Sequence, residues 1–174
     1  MKWQPWQVVM MWLAVTAVQA AEVHRHGEGR LQLAQDADHI EVVLVIPAQD
    51  MIGFERPPRT SAEQQQLQAA LATLGADNAL AWPAEANCRV LAIEVENPFT
   101  GHADDHHHDH HGHADLRARY RYQCDQHNLP RYLDVLVLTQ LPSVLLQAQA
   151  ITDRGATGAT LDRQRARLSL MPTL

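Results

Sequence analysis

The sequence predicts an α+β domain in which a largely antiparallel β-sheet of about eight strands is accompanied by one main amphipathic helix and a flexible His-rich loop. Three observations predict it. Short runs rich in Val, Ile, Leu and Tyr recur along the chain, bounded by Gly, Pro, Asn and Asp. A single stretch, residues 61–74, combines helical apolar spacing with a start and a stop signal. The third is a tract of twelve residues from His102 to His113, HADDHHHDHHGH, flanked on both sides by strand-like runs, which makes it the tip of a hairpin.

The chain opens with Lys2, an apolar run from Val8 to Val18 and the small-residue ending Val18-Gln19-Ala20, the layout of a cleavable secretory signal over residues 1–20. That run is too short to span a bilayer, which takes about 20 residues, so no stable membrane span is expected after cleavage. Residues 21–174 are enough for a single domain with its own core, carrying a His/Asp-rich loop at 100–115. Leu31 and Leu33 begin an alternating strand and Asp36 to Asp38 turns the chain. Ile40 to Ile46 is nearly continuous in apolar residues, a strand expected to be buried on both faces and stopped by Pro47.

Residues 48–60, AQDMIGFERPPRT, read as a loop in which Met51, Ile52 and Phe54 turn back to the core and Glu55 pairs with Arg56. Thr60 and Glu63 form a capping box, Leu67, Ala70, Leu71 and Leu74 follow at helical spacing, and Gly75 closes the helix. In the connector to Asn87, Trp82-Pro83 plugs the core edge. Arg89 to Glu96 and Leu116 to Gln123 are strands, the second with three arginines on one face. Tyr132 to Leu138, Val144 to Thr152, Ala156 to Leu161 and Arg165 to Leu170 complete the sheet, with Asp153-Arg154-Gly155 as a hairpin turn.

The hairpin register holds a conflict. Setting Cys88 opposite Cys124 puts Ile93 across from Arg119. A slip of one residue instead puts Ile93 across from Tyr120, Glu94 from Arg119 and Glu96 from Arg117, the better cross-strand set. Either a bulge near one Cys absorbs the extra residue or the strands are not neighbours along their full length.

Beyond residue 20 every cation other than His is Arg, thirteen against twenty acidic residues, a balance of −7. That argues against nucleic acid, whose backbone needs a basic footprint, and favours gathering cations. Two cysteines in a chain routed to an oxidising compartment are expected to join as a disulfide; zinc ligation by Cys88 and Cys124 is the alternative, which oxidation would prevent.

The tract is where chemistry concentrates. His102, His106, His107, His108, His110, His111 and His113 offer imidazoles, and Asp104, Asp105 and Asp109 offer carboxylates. Neutral imidazole is a common metal ligand, and zinc takes His nitrogen with Asp oxygen in roughly tetrahedral sets. With no Cys or Met in the tract, Cu(I) is less suited, while Cu(II) and Ni(II) compete with zinc for imidazole. Adjacent donors on a chain with no large apolar residue predict interchangeable coordination modes, with zinc as labile cargo. His24 and His26, two apart, face one side of an extended chain and form a second candidate ligand pair. His39 and His127 read as surface residues.

With HRHGEGRLQL at 24–33, IGFERPPRT at 52–60, the Cys88/Cys124 pair, the His/Asp-rich insertion between them and the closing RLSL, the chain resembles the ZrgA-type family of periplasmic zinc-uptake proteins of Gram-negative bacteria. The resemblance covers nearly all of the chain beyond residue 20. It implies a periplasmic zinc-binding accessory protein, chaperone or buffer, that works with a zinc ABC importer or its solute-binding protein. The family's HxHG motif is met by His24, His26 and Gly27, onto which metal binding carries; the central histidines carry over as a group.

The residues argue against an enzyme, since no HExxH arrangement and no ligand pair on a regular element is present. A structural or partner-binding periplasmic module with incidental metal binding is the competing reading.

Overall fold

A computed structural model describes residues 27–100, 114–141 and 143–172. The leader expected over residues 1–20 lies outside these, as does the tract. Among the described residues there are eight strands: β1 (Glu28–Asp36), β2 (His39–Pro47), β3 (Arg89–Glu96), β4 (Asp115–Gln123), β5 (Tyr132–Asp134), β6 (Leu145–Thr152), β7 (Gly155–Leu161) and β8 (Arg167–Ser169). Six form one sheet in the order β3-β4-β2-β1-β6-β7, and β5 with β8 form a two-stranded ribbon. Pairing is antiparallel throughout except between β1 and β6, which run parallel. The α+β expectation holds.

One face of the large sheet is dry. Leu31 and Leu33, Ile40 to Ile46 at alternate positions, Leu116 to Tyr122 at alternate positions and Leu146, Ala148 and Ala150 all point into one apolar cluster. Helix α2 (Ser61–Leu74) covers that face with Leu67, Ala70 and Leu74. The helix starts where its sequence says: the Thr60 side chain accepts from the Glu63 N–H, and the Glu63 carboxylate accepts from the Thr60 N–H. Arg56 bonds both Glu63 oxygens, at 2.5 and 3.1 Å, and with the Arg59 N–H holds that carboxyl down to about 2. Arg56 is therefore committed to Glu63 through both oxygens. The Tyr120 hydroxyl, buried, donates to the Leu74 carbonyl at 2.6 Å and ties the helix end to the sheet.

Three expectations need correction. Residues 48–52 are not loop but a short helix, α1 (Ala48–Ile52), closed by Gly53 in the left-handed region at φ 81. The strand expected over Tyr132 to Leu138 stops at Asp134, and Leu136–Gln140 is a 3-10 helix. Leu133, Val135 and Val137 are all buried, so the alternation that suggested a strand reports burial. It is the Val135 and Val137 N–H groups, bonded to Ala166 and Ala79 carbonyls, that pull the backbone off the strand path. Finally, β2 is dry on both faces only over Leu44 to Pro47; at Glu41 and Val43 the open face of the sheet is half-buried.

The register conflict resolves by a bulge. Arg89 pairs with Gln123 and Val90 with Tyr122, then Leu91 is passed over and Ala92 pairs with Arg121, Ile93 with Tyr120, Glu94 with Arg119 and Glu96 with Arg117. Both registers are present, one on each side of Leu91. Cys88 and Cys124 form a disulfide just beyond the first.

Candidate functional site

None of the candidate ligands lies among the described residues: His24, His26, His102, Asp104, Asp105, His106, His107, His108, Asp109, His110, His111 and His113 all fall outside. What can be built is the platform from which both histidine segments start. The first ends at Gly27 and the second at Ala114.

Gly27 has φ +80, a conformation L side chains rarely adopt, which accounts for the glycine after the HxH pair. Its N–H donates to Asp50 Oδ2 at 2.7 Å, and its carbonyl accepts from the Leu145 N–H at 2.7 Å. Gly29 is needed for another reason: a Cβ there would meet the Val45 carbonyl oxygen at 2.9 Å.

At the other root, the Ala114 carbonyl accepts from the Ala48 N–H at 2.7 Å. The outgoing limb of the same connection is held by Asn97, whose side chain accepts from the Phe99 N–H at 3.0 Å, and by the Phe99 ring stacked on Phe54 at 6.3 Å. Residues 48–63 thus act as a bracket, with Ala48 and Phe54 holding the two limbs of the long connection and Asp50 holding Gly27. The Glu63–Arg56 pair braces it from below.

The roots share one end of the sheet. Asp115 pairs with Pro47, and Glu28 lies two residues beyond the Arg30–Val45 pair, at the level of that same Pro47. At the usual strand spacing, β1 and β4 are about 10 Å apart across β2. Glu28, Asp50 and Asp115 place carboxylates there, yet among the described residues no three His, Cys, Asp or Glu side chains are grouped to hold a metal ion.

The other histidines and the cysteines lie elsewhere. His39, 60% exposed, sits at the opposite end of β2, about 26 Å away at strand rise, with Nδ1 2.9 Å from Asp38 Oδ1. The Gln123 amide, foremost, and then His39 hold the Asp38 carboxyl below its ordinary value. His127 is exposed in the turn after β4. A concavity of about 580 Å3 opens at this far end among Ala34, His39, Glu41, Leu91 and Arg121, remote from both roots. Cys88 and Cys124, being oxidised, offer no thiolate to a metal.

On the open face, β4 carries Arg117, Arg119 and Arg121 against Glu96 at 3.6 Å, Glu41 at 3.2 Å and Glu94 at 2.7 Å. These pairs neutralise the three arginines along the open face of β4. Asp50 was missed from the sequence, since nothing in AQDMIG marks one carboxylate as reaching back to residue 27. Phe54 and Phe99 were legible only as apolar residues.

The described structure is thus a six-stranded sheet with the roots of both histidine segments at one end. The chain belongs to the ZrgA family: residues 23–170, most of its length, match the description ZrgA family zinc uptake protein. A comparison with curated proteins finds no match. Among the described residues no helix is long and apolar enough to cross a membrane.

Proposed function

We propose that this protein is a periplasmic accessory in zinc uptake that captures Zn(II) on the imidazoles and carboxylates of His102 to His113, with His24 and His26 assisting, and passes it by ligand exchange to a zinc importer or its solute-binding protein. Membership of a zinc uptake family supports the cargo. The observation that carries the reading is the shared platform: Gly27 and Ala114, the residues that follow His26 and His113, are both bonded to α1 at one end of the sheet. A disulfide suits an exported protein, as does the leader read at 1–20. The protein carries zinc as cargo and catalyses no reaction.

Capture requires unprotonated imidazole, whose ordinary pKa is near 6.5, so zinc affinity falls steeply from about pH 7 to pH 5. The test is deletion of His102 to His113. Zinc stoichiometry and growth under zinc starvation both fall if the tract is the capture element; if both are unaltered, it is incidental. Metal analysis of protein taken from its own compartment without added metal separates zinc from nickel and copper.

A further inference from the structure

We propose that a cleft at the end of the sheet away from the two roots binds a phosphate group, anchored by Arg154 and Arg131. The proposal is independent of the zinc-capture reading.

The cleft has a volume of about 310 Å3, and its mainly polar walls include Glu85, His127, Asn128, Leu129, Arg131 and Arg154. It lies between the turn that follows β4 and the turn that joins β6 to β7. There Ile151 of β6 is level with Ala34 of β1, the end of the sheet opposite Gly27 and Ala114.

Arg154 is held in place before any ligand arrives. One terminal nitrogen of its guanidinium donates to the Pro130 carbonyl at 2.8 Å and the other to the Leu129 carbonyl at 3.1 Å. Its backbone N–H donates to Thr152 Oγ1 at 3.1 Å. A guanidinium carries five N–H donors in a rigid fork, so these two bonds fix its plane and leave donors over. Binding an anion there then costs little further side-chain entropy.

Its charge is left uncompensated. Arg56, Arg117, Arg119, Arg121, Arg165 and Arg167 each meet a carboxylate at 3.6 Å or less. Arg154 is satisfied by neutral carbonyls instead, and exposed Arg131 forms no ion pair among the described residues. Glu85 is the one carboxylate in the walls, and no ion pair joins it to either arginine. The nearby Asp125 carboxylate is taken up by the His127 N–H and the Asn128 side chain. Arg131 directly follows Pro130, whose carbonyl holds Arg154, so the main chain brings two cations to one place.

That excess sits in a chain whose balance beyond residue 20 is −7. A phosphate near neutrality carries close to two charges, matching two guanidiniums. Its oxygens form a tetrahedron that donors from two chain segments can share, whereas a planar carboxylate is matched by a single fork.

The test uses the full chain freed of metal, so that zinc cannot recruit the anion. Inorganic phosphate, glycerol 3-phosphate and acetate are titrated in turn, with binding read from the amide NMR shifts of His127, Leu129, Arg131 and Arg154. The variants are Arg131→Gln, Arg154→Lys, Glu85→Gln and Arg163→Gln. Arg163, exposed and outside the cleft, is the control for diffuse charge.

Inorganic phosphate saturates these shifts with a Kd of about 1 mM or below. Arg131→Gln, with melting unchanged, and Arg154→Lys, which keeps the charge but loses the fork, each weaken binding about ten-fold. Glu85→Gln tightens it about three-fold by removing a like charge, and Arg163→Gln has no effect. The tighter of the two phosphates tells whether the group arrives free or on an organic alcohol. No saturable shift below about 10 mM overturns the proposal, as does unchanged binding in Arg131→Gln. Acetate binding as tightly as phosphate, or an equal loss in Arg163→Gln, overturns it as well.

Discussion

The two outer hairpins of the large sheet solve the same problem in opposite ways. β6 and β7 are joined by two residues, Asp153 and Arg154, and match position for position from Leu146–Leu161 to Thr152–Gly155. Their partners are small, Ala148 with Ala159 and Ala150 with Thr157, and among the described residues no ion pair joins them. β3 and β4 are joined by residues 97–114, a connection whose length adds to the entropy of closure. This hairpin is cross-braced instead, with Glu96–Arg117 and Glu94–Arg121 between its strands and a disulfide at the end away from the tract. A hairpin that must carry a long tip takes its stability from side chains and sulfur, whereas a tight one takes it from the turn.

The edges differ too. β3 is blunted by the Leu91 bulge and by charges, both familiar guards against pairing with another sheet. β7 has no charge between Gly155 and Leu161; it is flanked by the returning chain, with the Thr157 hydroxyl donating to the Ser169 carbonyl at 2.7 Å.

Four experiments test this contrast. The largest effect is expected from Cys88→Ser with Cys124→Ser, which should cost about 3 to 4 kcal/mol in denaturant melts. Hydrogen exchange should accelerate in β3 and β4 well before β6 and β7; equal acceleration would mean the braces are not local. Next is Gly155→Ala. Gly155 sits at φ +124 and a Cβ would meet Pro172 at 3.2 Å, so roughly 2 kcal/mol is lost from the tight hairpin.

Shortening the long connection from eighteen residues to about six should raise stability by about 1 kcal/mol while removing the tract. A loss of stability would show that the excursion packs on the sheet. Smallest is Arg121→Ala: the pair with Glu94 is half-exposed, so the effect is about 0.5 kcal/mol or less and fades in high salt.

How much of this was legible before the structure depended on how local the cause was. The capping box at Thr60 and Glu63 and the helix it starts are local, and so is the register conflict at Cys88, for which a bulge was one of two resolutions left open. The parallel pairing of β1 with β6 is not local, and no spacing in either strand announces it. Val135 and Val137 misled because burial at every second residue is shared by a strand and by a chain pulled off the strand path by N–H bonds to the Ala166 and Ala79 carbonyls. The candidate ligands were read from composition alone and lie outside the described residues, while the Asp50 bond to Gly27 and the common end of the two roots came only with the register of three strands.

That parallel pairing sets an order of assembly. β1 lies inside the sheet, but its second neighbour, β6, follows four other strands in the chain. A polypeptide delivered from its N-terminus can zip β1 to β2, then β4 and β3, and must wait with one rim of β1 bare until β6 and β7 dock as a preformed pair. The slow step in folding is therefore this late, long-range closure, and the residues that set its speed lie in β1 and β6, far from the tract.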